Sequence, residues 1–536
     1  MDRRRAWYSL VLLAGLAVGL ACSGGDETPA PPSGVETPKA GGTLVMGSIS
    51  DVDSWNEYIS QQSFAQFLLR RVYLRLAEQK PGPLSHPDGY EPSLAESWEA
   101  SEDGLALTFR LREASWSDGT PIRAEDVRFT WQAQTSEHVP WIGADSKTRI
   151  RDVEVVDART VRFHFDGAYP YQFIDAVEGG ILPEHVFGQV PFERWKDHDW
   201  LTARVGSGPF VPSTHRPGEQ MELVRNEHYY REGRPYLDRV VVRVVPDISN
   251  LITQLRSGEI DYLENIPLRD AHRLGEDERL EVVPFDYANY EFIGWNGAKP
   301  PFDDADVRRA LTMAIDRQAL VDELMAGHAK VGTGPAPSSW WGADTSLEPL
   351  PYDPQKARAI LREHGYATAE GESGKKLNVT ILTNAGNRTR ESALVKIQSH
   401  LYKVGVDASI QPLEMRTMRG QVVSGEFDGY LGGWVFAGKI DLRGLFASAA
   451  TPPNGMNIVS YSNADVDASF DRLAEVDRWE AMPEILADIQ TRIAADQPYS
   501  FLYESRRVAA HSTSLAGVRI DVPSDPLIHL ADYWVR

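Results

Sequence analysis

Residues 91–131 read EPSLAESWEASEDGLALTFRLREASWSDGTPIRAEDVRFTW. Within this stretch the apolar residues of 105–111 alternate strictly with other residues, which is the pattern of a strand with one buried face. Two Asp-Gly dipeptides, at 103–104 and 118–119, flank this strand and favour turns. The acidic pair 125–126 stands where a helix begins, since carboxylates interact favourably with the positive end of a helix. The stretch therefore predicts a strand, a turn and a helix, in that order.

Four motifs follow one another in this stretch: LAESW (94–98), FRLR (109–112), WSDGTP (116–121) and AEDVRFTW (124–131). Their order resembles the signature of the extracellular solute-binding proteins that serve peptide-class ABC importers, the dipeptide- and oligopeptide-binding type of solute-binding family 5. One position departs from the family, because Arg123 stands where relatives usually have a threonine that caps the helix. The loss of such a cap costs on the order of 1 kcal/mol. We interpret these four motifs as scaffold, that is, as residues that build the fold and do not contact the ligand.

The resemblance continues along the chain, in segments that keep the order of the family. These segments are ILPEH (181–185), VGSGPF (205–210), 223–247, LRSGEIDYLENIP (255–267), 294–329, 352–366 and 377–414. Locally, 352–366 predicts a helix with Pro354 in its first turn and Gly365 at its end. Nearer the start, 42–49 predicts a strand, and 62–79 has apolar residues at helical spacing.

The resemblance implies an α/β fold of two lobes, the periplasmic-binding-protein fold of type II, cluster C. It also implies an extra subdomain in lobe one and a hinge of two crossover strands, which we place near YEFIGWN (290–296) and SFLYESR (500–506). In chain order, the predicted parts are a lipoprotein-type signal peptide (1–22), a Pro-rich disordered tether (23–40), lobe I (41–292, with the extra subdomain at about 91–204), lobe II (293–503) and a return to lobe I (504–536).

The N-terminal residues have the order of an export signal: three arginines, an apolar run over 10–20, then small residues and Cys22. The run is too short to cross a bilayer comfortably, since a spanning helix needs about 20 apolar residues. Cys22 is the only cysteine among 536 residues, and GLAC (19–22) resembles the box at which bacterial lipoproteins are acylated. Gly19 departs from that box, where the family prefers an aliphatic residue. For the N-terminal run, the alternatives are a short buried helix and a twin-arginine signal. For Cys22, they are a free thiol in an exported protein and a soluble periplasmic form.

An acyl group on Cys22 would anchor the protein to a membrane without a spanning segment. We therefore expect an exported lipoprotein, periplasmic or at the cell surface, with residues 23–40 as an extended tether. The net charge of −22 argues against a nucleic-acid partner, since phosphates require a basic face. A hydrophobic content of 42% is sufficient for a folded core.

Motifs of hydrolytic enzymes are absent from the sequence. VGSGPF (205–210) lacks the spacing of a G-x-S-x-G elbow, and no H-E-x-x-H occurs among the thirteen scattered histidines. We therefore predict no enzyme, no catalytic residue, no metal and no cofactor. A ligand-sensing binding protein for a receptor is the first alternative to a transport component, and an exported hydrolase is a second, less favoured one.

The resemblance implies a monomer that binds a peptide or related small solute between its lobes and delivers it to an ABC permease and ATPase complex. The matching strand lies in FDGYLGGWVFAGKIDLRGLF (427–446), where Trp434 matches a family tryptophan beside the ligand. An ordinary core aromatic is the alternative for Trp434. In dipeptide and oligopeptide binders, an aspartate three residues later holds the ligand's α-ammonium, but this chain has Ala437. Either Asp441 substitutes, or the ligand presents no free amine there.

The candidate ligand-binding residues form two groups. The group implied by the matching strand is Gly433, Trp434, Val435, Phe436 and Asp441. The second group rests on position along the chain, with plain packing as the alternative for each member: Asp51, Asp53, Trp55, Trp295, Asn296, Trp340, Trp341, Asn457 and Tyr461.

Overall fold

The computed structural model of the chain describes residues 37–369, 371–436 and 438–536. The predicted signal peptide and most of the predicted tether, with Gly19 and Cys22, lie outside these residues, and so does Ala437. Lys39–Arg536 forms one compact unit. Over the described ranges, no helix combines the length and the apolar character that crossing a membrane requires.

The chain forms runs of consecutive strands as well as strands separated by helices. The strands are β1 Thr43–Ser48, β2 Ala77–Gln79, β3 Tyr90–Pro92, β4 Ala95–Ala100, β5 Ala106–Leu111, β6 Ile150–Asp157, β7 Thr160–Phe165, β8 Phe210–Arg216, β9 Gln220–Arg225, β10 Arg239–Val244, β11 Tyr262–Leu263, β12 Leu280–Phe285, β13 Asn289–Trp295, β14 Ala329–Val331, β15 Leu377–Asn384, β16 Val406–Leu413, β17 Gly429–Val435, β18 Tyr499–Ser505, β19 Arg507–Ser512, β20 Leu515–Ala516 and β21 Trp534–Val535. The helices are α1 Ser63–Val72, α2 Ala124–Thr135, α3 Gln172–Val177, α4 Glu184–Phe187, α5 Ile248–Ser257, α6 Leu268–Gly275, α7 Ala305–Met313, α8 Arg317–Leu324, α9 Pro354–Glu363, α10 Arg388–Tyr402, α11 Met415–Val423, α12 Leu442–Phe446, α13 Ala464–Ala474 and α14 Met482–Asp496.

Three larger sheets organise these elements. A seven-stranded sheet has the order β12-β19-β11-β1-β10-β9-β8, and a four-stranded sheet has the order β4-β5-β7-β6. A six-stranded sheet has the order β14-β18-β13-β17-β15-β16. We call the seven- and four-stranded sheets with their helices the first lobe, and the six-stranded sheet with its helices the second lobe. The two-stranded hairpin of β2 and β3 belongs to the first lobe, because Ala77 and Tyr90 pack in the core of that lobe.

The stretch 91–131 forms the strand, turn and helix that its pattern predicts, as β5 and α2. The start of α2 is well bonded although the threonine cap is missing. The Asp126 carboxylate accepts hydrogen bonds from the backbone N–H of Arg123 at 2.9 Å and from the indole N–H of Trp116 at 3.3 Å. Its other oxygen accepts from the backbone N–H of Glu184 at 2.9 Å. An acid three residues into the helix therefore ties the turn, the helix and α4 together.

The helical spacing of 62–79 describes only the first part of that segment. Helix α1 ends at Val72, the backbone of Tyr73 is extended, and Ala77–Gln79 is a strand paired with Tyr90–Pro92. The strand partner lies outside the segment, so pairing with it overrides the local periodicity.

The six-stranded sheet is covered by apolar side chains on both faces. Tyr290, Phe292 and Tyr430 belong to the buried cluster on one face. Ile293 and Leu431 belong to the cluster on the other face. The alternation along β13 and β17 follows from the pleat of a strand, and it makes these two strands the centre of the second lobe.

The chain crosses between the lobes twice, at neighbouring positions. Residues 286–288 connect β12 to β13, and Arg506 connects β18 to β19. Strands β12 and β19 pair in the first lobe, and β13 and β18 pair in the second. The predicted lobe limits, 292/293 and 503/504, fall inside β13 and β18, and they stay a prediction.

Beside the return crossing, Glu264 is a buried carboxyl with incomplete partners. Its Oε1 accepts a hydrogen bond from the Asn265 amide at 3.1 Å, and a guanidinium nitrogen of Arg507 lies 3.8 Å away. Its Oε2 has no hydrogen-bond partner among the described residues. Burial raises the pKa of Glu264 to about 7.

We predict that the folded protein binds a proton at Glu264 between about pH 7 and pH 4.5, where the unfolded chain does not. Relative to a Glu264→Gln variant, the wild type should therefore gain about 1.4 kcal/mol of unfolding free energy for each pH unit lowered in this window. Urea unfolding at a series of pH values measures this difference. A Glu278→Gln variant, which alters an exposed carboxyl, should show no such trend. Parallel curves for wild type and Glu264→Gln would contradict the prediction.

Candidate functional site

The last residues of β17 form an open strand edge. Strand β17 pairs with β13 along its whole length, from Gly429 to Val435. On its other side it pairs with β15 only at Gly429 and Tyr430. From Leu431 onward, therefore, this side of β17 has no strand neighbour in the part of the chain that the structure describes. Such an edge offers backbone N–H and C=O groups to an extended ligand.

Trp434 lies at this edge, at the border of the aromatic face. Its ring is nearly parallel to that of Phe292, with centroids 6.4 Å apart, and its indole N–H points to the hydroxyl of Tyr499 at 3.4 Å. The next residue, Val435, is 58% exposed. Phe436 then donates a backbone hydrogen bond to Ala288 in the outward crossing at 2.8 Å. The predicted tryptophan therefore stands at the junction of the two lobes, half-buried.

The opposite face of β17 holds an ion pair. Arg390 donates two hydrogen bonds to the Glu291 carboxylate, at 2.8 and 3.0 Å. A Cβ atom on Gly433 would lie 2.6 Å from an oxygen of Glu291, so a larger residue there would displace the ion pair. Burial raises the pKa of Glu291, and the Arg390 guanidinium opposes that shift. This glycine, a predicted ligand-binding residue, therefore makes room for a side-chain pair of the protein itself.

The loop after β17 closes a small cavity against the first lobe. The cavity measures about 60 Å³. Its second-lobe wall consists of Gly438 and Lys439, and its first-lobe wall includes six charged or aromatic residues: Arg70, Arg75, Glu78, Tyr90, Glu178 and Asp525. Ligand pockets of proteins usually measure about 300–1,000 Å³. A peptide enters this cavity only if the lobes separate.

The charges around the cavity are of both signs. Arg75 is paired with Glu57 at 2.9 Å, and Arg70 lies 3.6 Å from Asp525. The Glu78 carboxylate forms no hydrogen bond or ion pair with the described residues, and burial raises its pKa, with nearby arginines opposing the shift. Paired cations beside an unpaired carboxylate can accommodate a ligand that itself carries charges of both signs.

Lys439 joins the two lobes through an ion pair. Its ammonium contacts the Asp175 carboxylate on α3 and lies 5.5 Å from the centre of the Tyr171 ring. The Asp175 side chain is only 4% exposed, and its second oxygen accepts a hydrogen bond from the Tyr169 hydroxyl at 2.8 Å. Burial raises the pKa of Asp175, and Lys439 is the largest opposing influence. The buried acid of one lobe is thus compensated mainly by a cation from the other, with Lys147 of its own lobe as a smaller influence.

Most members of the second group of predicted residues bond within their own lobe. The bonds of five of them are as follows: Asp51 to His215 at 2.8 Å, Asp53 to the backbone N–H of Gln61 at 2.8 Å, Trp295 to Ser500 at 2.9 Å, Asn296 to the backbone oxygen of Phe427 at 2.9 Å, and Tyr461 to Asp496 at 2.7 Å. Trp55 is fully buried, and Asn457 donates to the backbone oxygen of Ala447 at 2.9 Å. Contact of these residues with a ligand stays a prediction.

Asp441 also has a partner within the chain. Its carboxylate accepts a hydrogen bond from the backbone N–H of Gly444 at 2.9 Å and so caps helix α12. Lys439, two residues before it, is the charged residue of this loop that reaches the cavity. The family pattern directs attention to an acid in this loop, so it gives no reason to single out the cation. For Asp175 no sequence signal exists, because its role depends on a residue 264 positions away.

Comparison with known proteins finds one matching family model and several relatives in sequence. A family model described as bacterial extracellular solute-binding proteins, family 5 Middle, matches residues 89–454. The oligopeptide-binding protein AppA of Bacillus subtilis is 29% identical over 549 aligned residues, covering 99% of each chain. The glutathione-binding protein GsiB of Salmonella typhimurium is 29% identical over 433 residues, covering 79% of this chain and 82% of its own.

Solved structures resemble the fold as a whole. The structure of AppA in complex with a nonapeptide has a TM-score of 0.72 at 28% identity, covering 93% of this chain and all of that one. The substrate-binding protein CtaP of Listeria monocytogenes has a TM-score of 0.81 at 23% identity, with the same coverage. The predicted α/β fold of two lobes is confirmed by these neighbours.

The ion pair between the lobes generates a test of closure. In a Lys439→Met variant, the Asp175 carboxylate stays buried without its cation, which is costly. We expect the lobes to separate, so that small-angle X-ray scattering shows a larger radius of gyration than for the wild type. Adding Asp175→Asn should restore most of the difference, because a neutral amide does not need the cation. Lys403→Met, at an exposed lysine of the same lobe, is the control. An unchanged radius in Lys439→Met would refute the role of the pair.

Proposed function

The chain belongs to the bacterial extracellular solute-binding proteins of family 5, and we propose that it captures peptides or related solutes for an ABC importer. One observation carries the proposal. The open edge of β17 runs into a loop whose Lys439 closes on the first lobe around a charged cavity. A ligand lying there touches both lobes at once.

The mechanism that follows is closure around the ligand. The short crossings, 286–288 and Arg506, are where the chain can bend. A ligand that contacts both lobes only in the closed state binds that state more tightly, so it shifts the equilibrium towards closure. The permease then recognises the closed form. Family members are binding proteins, and capture and release of this kind require no covalent step.

Recognition of a peptide backbone fits the open edge best. Pairing with the backbone groups of β17 beyond Leu431 supplies affinity that does not depend on ligand side chains. Trp434, half-buried at the same edge, supplies an apolar wall. The arginines of the cavity wall and Lys439 favour a ligand with an acidic group, as a peptide has at its C-terminus.

The loop after Trp434 differs from that of dipeptide and oligopeptide binders in the sign of its charge. Position 437 is an alanine, which lies outside the described residues, and the carboxylate of Asp441 caps a helix. The charged side chain that this loop brings to the cavity is Lys439. We propose that the ligand's amine is not held by this loop.

The N-terminal residues support a proposal for the localisation of the protein. Cys22 in the box GLAC, after an apolar run, is the proposed site of a lipid anchor. The proposal is an exported, membrane-anchored monomer, periplasmic or at the cell surface, whose partners are an ABC permease and its ATPase.

Binding without cleavage is the first test of this function. The protein should bind members of a synthetic peptide library, and mass spectrometry of the released ligands should recover them intact. A Trp434→Ala variant should raise the Kd of the best-bound peptide about tenfold or more, because it removes the apolar wall. Tyr402→Ala, which alters an exposed aromatic residue on α10, should not change the Kd measured by calorimetry. Shortened peptides after incubation, or no binding at all, would refute the proposal.

The charge of the loop generates a second test. Free and N-acetylated forms of the best-bound peptide should have Kd values within about threefold of each other, because no acid of this loop holds the ammonium. A buried ammonium that lost its acidic partner would instead weaken binding by several kcal/mol. Calorimetric titration with both forms measures the ratio. A large loss on acetylation would show that another acid of the cavity holds the amine.

A further inference from the structure

The β2–β3 hairpin of the first lobe reaches the second lobe. Strands β2 and β3 are antiparallel, and the pairing continues to Lys80, whose backbone N–H donates to Gly89 at 2.8 Å. The residues between them, PGPLSHPD (81–88), form a loop that we call the hairpin tip. Its three prolines restrict the backbone, so the tip is stiff for its length.

The hairpin tip is bound to the second lobe through its backbone. Leu84 donates a hydrogen bond from its N–H to Ser339 at 2.7 Å, and its own carbonyl accepts one from Trp341 at 3.2 Å. The Leu84 side chain is 1% exposed and belongs to a buried cluster whose other members are second-lobe residues and Ala288 of the outward crossing. This is the packing of a core residue, yet the residue comes from the opposite lobe.

His86 adds a second contact of the tip. Its ring lies edge-on to those of Trp341 and Trp479, with centroids 5.7 and 5.2 Å apart. Trp341 is one of the loop aromatics that the sequence suggested for ligand contact. In this structure, that aromatic contacts the tip of the chain's own hairpin, besides Trp340 and Trp479 of its own lobe.

The hairpin separates two spaces between the lobes. On one side, Glu78, Gln79, Ser85 and Tyr90 form part of the wall of the charged cavity. On the other side, Gly82 and Pro83 line a groove of about 360 Å³, together with residues of the outward crossing and of the loop 338–339. A ligand that extended from the cavity towards this groove would meet the hairpin tip.

We propose that the hairpin tip, residues 81–88, limits the length of the ligand, so that this protein selects short peptides. The inference rests on the proposed function, because it specifies which peptides the same cleft accepts. The tip closes one end of the cleft when Leu84 docks in the second lobe. A long ligand displaces the tip and loses the backbone bonds and the apolar burial of Leu84, whereas a short ligand leaves them intact.

Replacing the tip tests this role directly. Because Lys80 and Gly89 are a paired position, residues 81–88 can be exchanged for Asn-Gly, which closes a two-residue hairpin. The probes are alanine-rich peptides from dipeptide to nonapeptide, with Kd measured by calorimetry. In the wild type, we expect the Kd of the nonapeptide to exceed that of the tripeptide by about tenfold or more. In the shortened variant, this ratio should fall close to one.

The ratio of the two Kd values separates the possible outcomes. A ratio that is unchanged by shortening the tip overturns the inference, even if all affinities fall together. Failure of both proteins to bind any peptide overturns the proposed function instead. Circular dichroism establishes that the shortened variant folds. A Leu84→Ala variant keeps the hairpin length and loosens its docking, so it should lower the ratio partly. Ile142→Ala, which alters a residue that is 87% exposed, should leave it unchanged.

Hydrogen exchange supplies a readout that does not depend on affinity. The N–H of Leu84 is bonded to Ser339 only when the tip is docked. Adding the tripeptide to the wild type should slow exchange in 81–89, whereas the nonapeptide should not. Equal protection by both peptides would contradict the proposal.

Discussion

The two lobes of this protein are joined by two connections that lie side by side, and the other contacts between the lobes depend on that arrangement. Strands β12 and β19 pair on one side of the junction, and β13 and β18 pair on the other. Because only 286–288 and Arg506 separate the pairs, the lobes can bend towards each other without changing the register of either sheet. The proposed closure about these two connections therefore brings the same residues together each time.

Two kinds of contact mark the closed junction. One is polar, between Lys439 and the buried Asp175. The other is apolar, with Leu84 inserted into the core of the second lobe. Both join the protein to itself, so they favour closure with any ligand that leaves them intact. Differences in affinity between ligands must then come from the cavity wall and from the space that the hairpin leaves. In the proposed mechanism, selection by size and selection by charge thus reside in different parts of the cleft.

The acidity of the chain as a whole says little about its cleft. The net charge is −22, yet the cavity wall carries Arg70, Arg75 and Lys439 beside its acids. Net charge affects mainly the solubility of a protein, whereas ligand recognition depends on the charged groups that are desolvated on binding. The arginines of the wall are paired within the first lobe, so their positions are set before any ligand arrives. The unpaired carboxylate of Glu78 is the exception.

The local elements and the family could be predicted from the order of residues alone. Alternation over 105–111 and the Asp-Gly turns led directly to β5, and the motifs of 91–131 led to the fold. Long-range packing, in contrast, determines in which core each element is buried. The segment 62–79 has helical spacing throughout, yet its helix ends at Val72 and a strand follows. Leu84 packs in the core of the opposite lobe. Periodicity reports that a residue has a buried face, because it depends on near neighbours. Periodicity does not indicate which distant surface buries that face, because the packing partner is set by the tertiary fold.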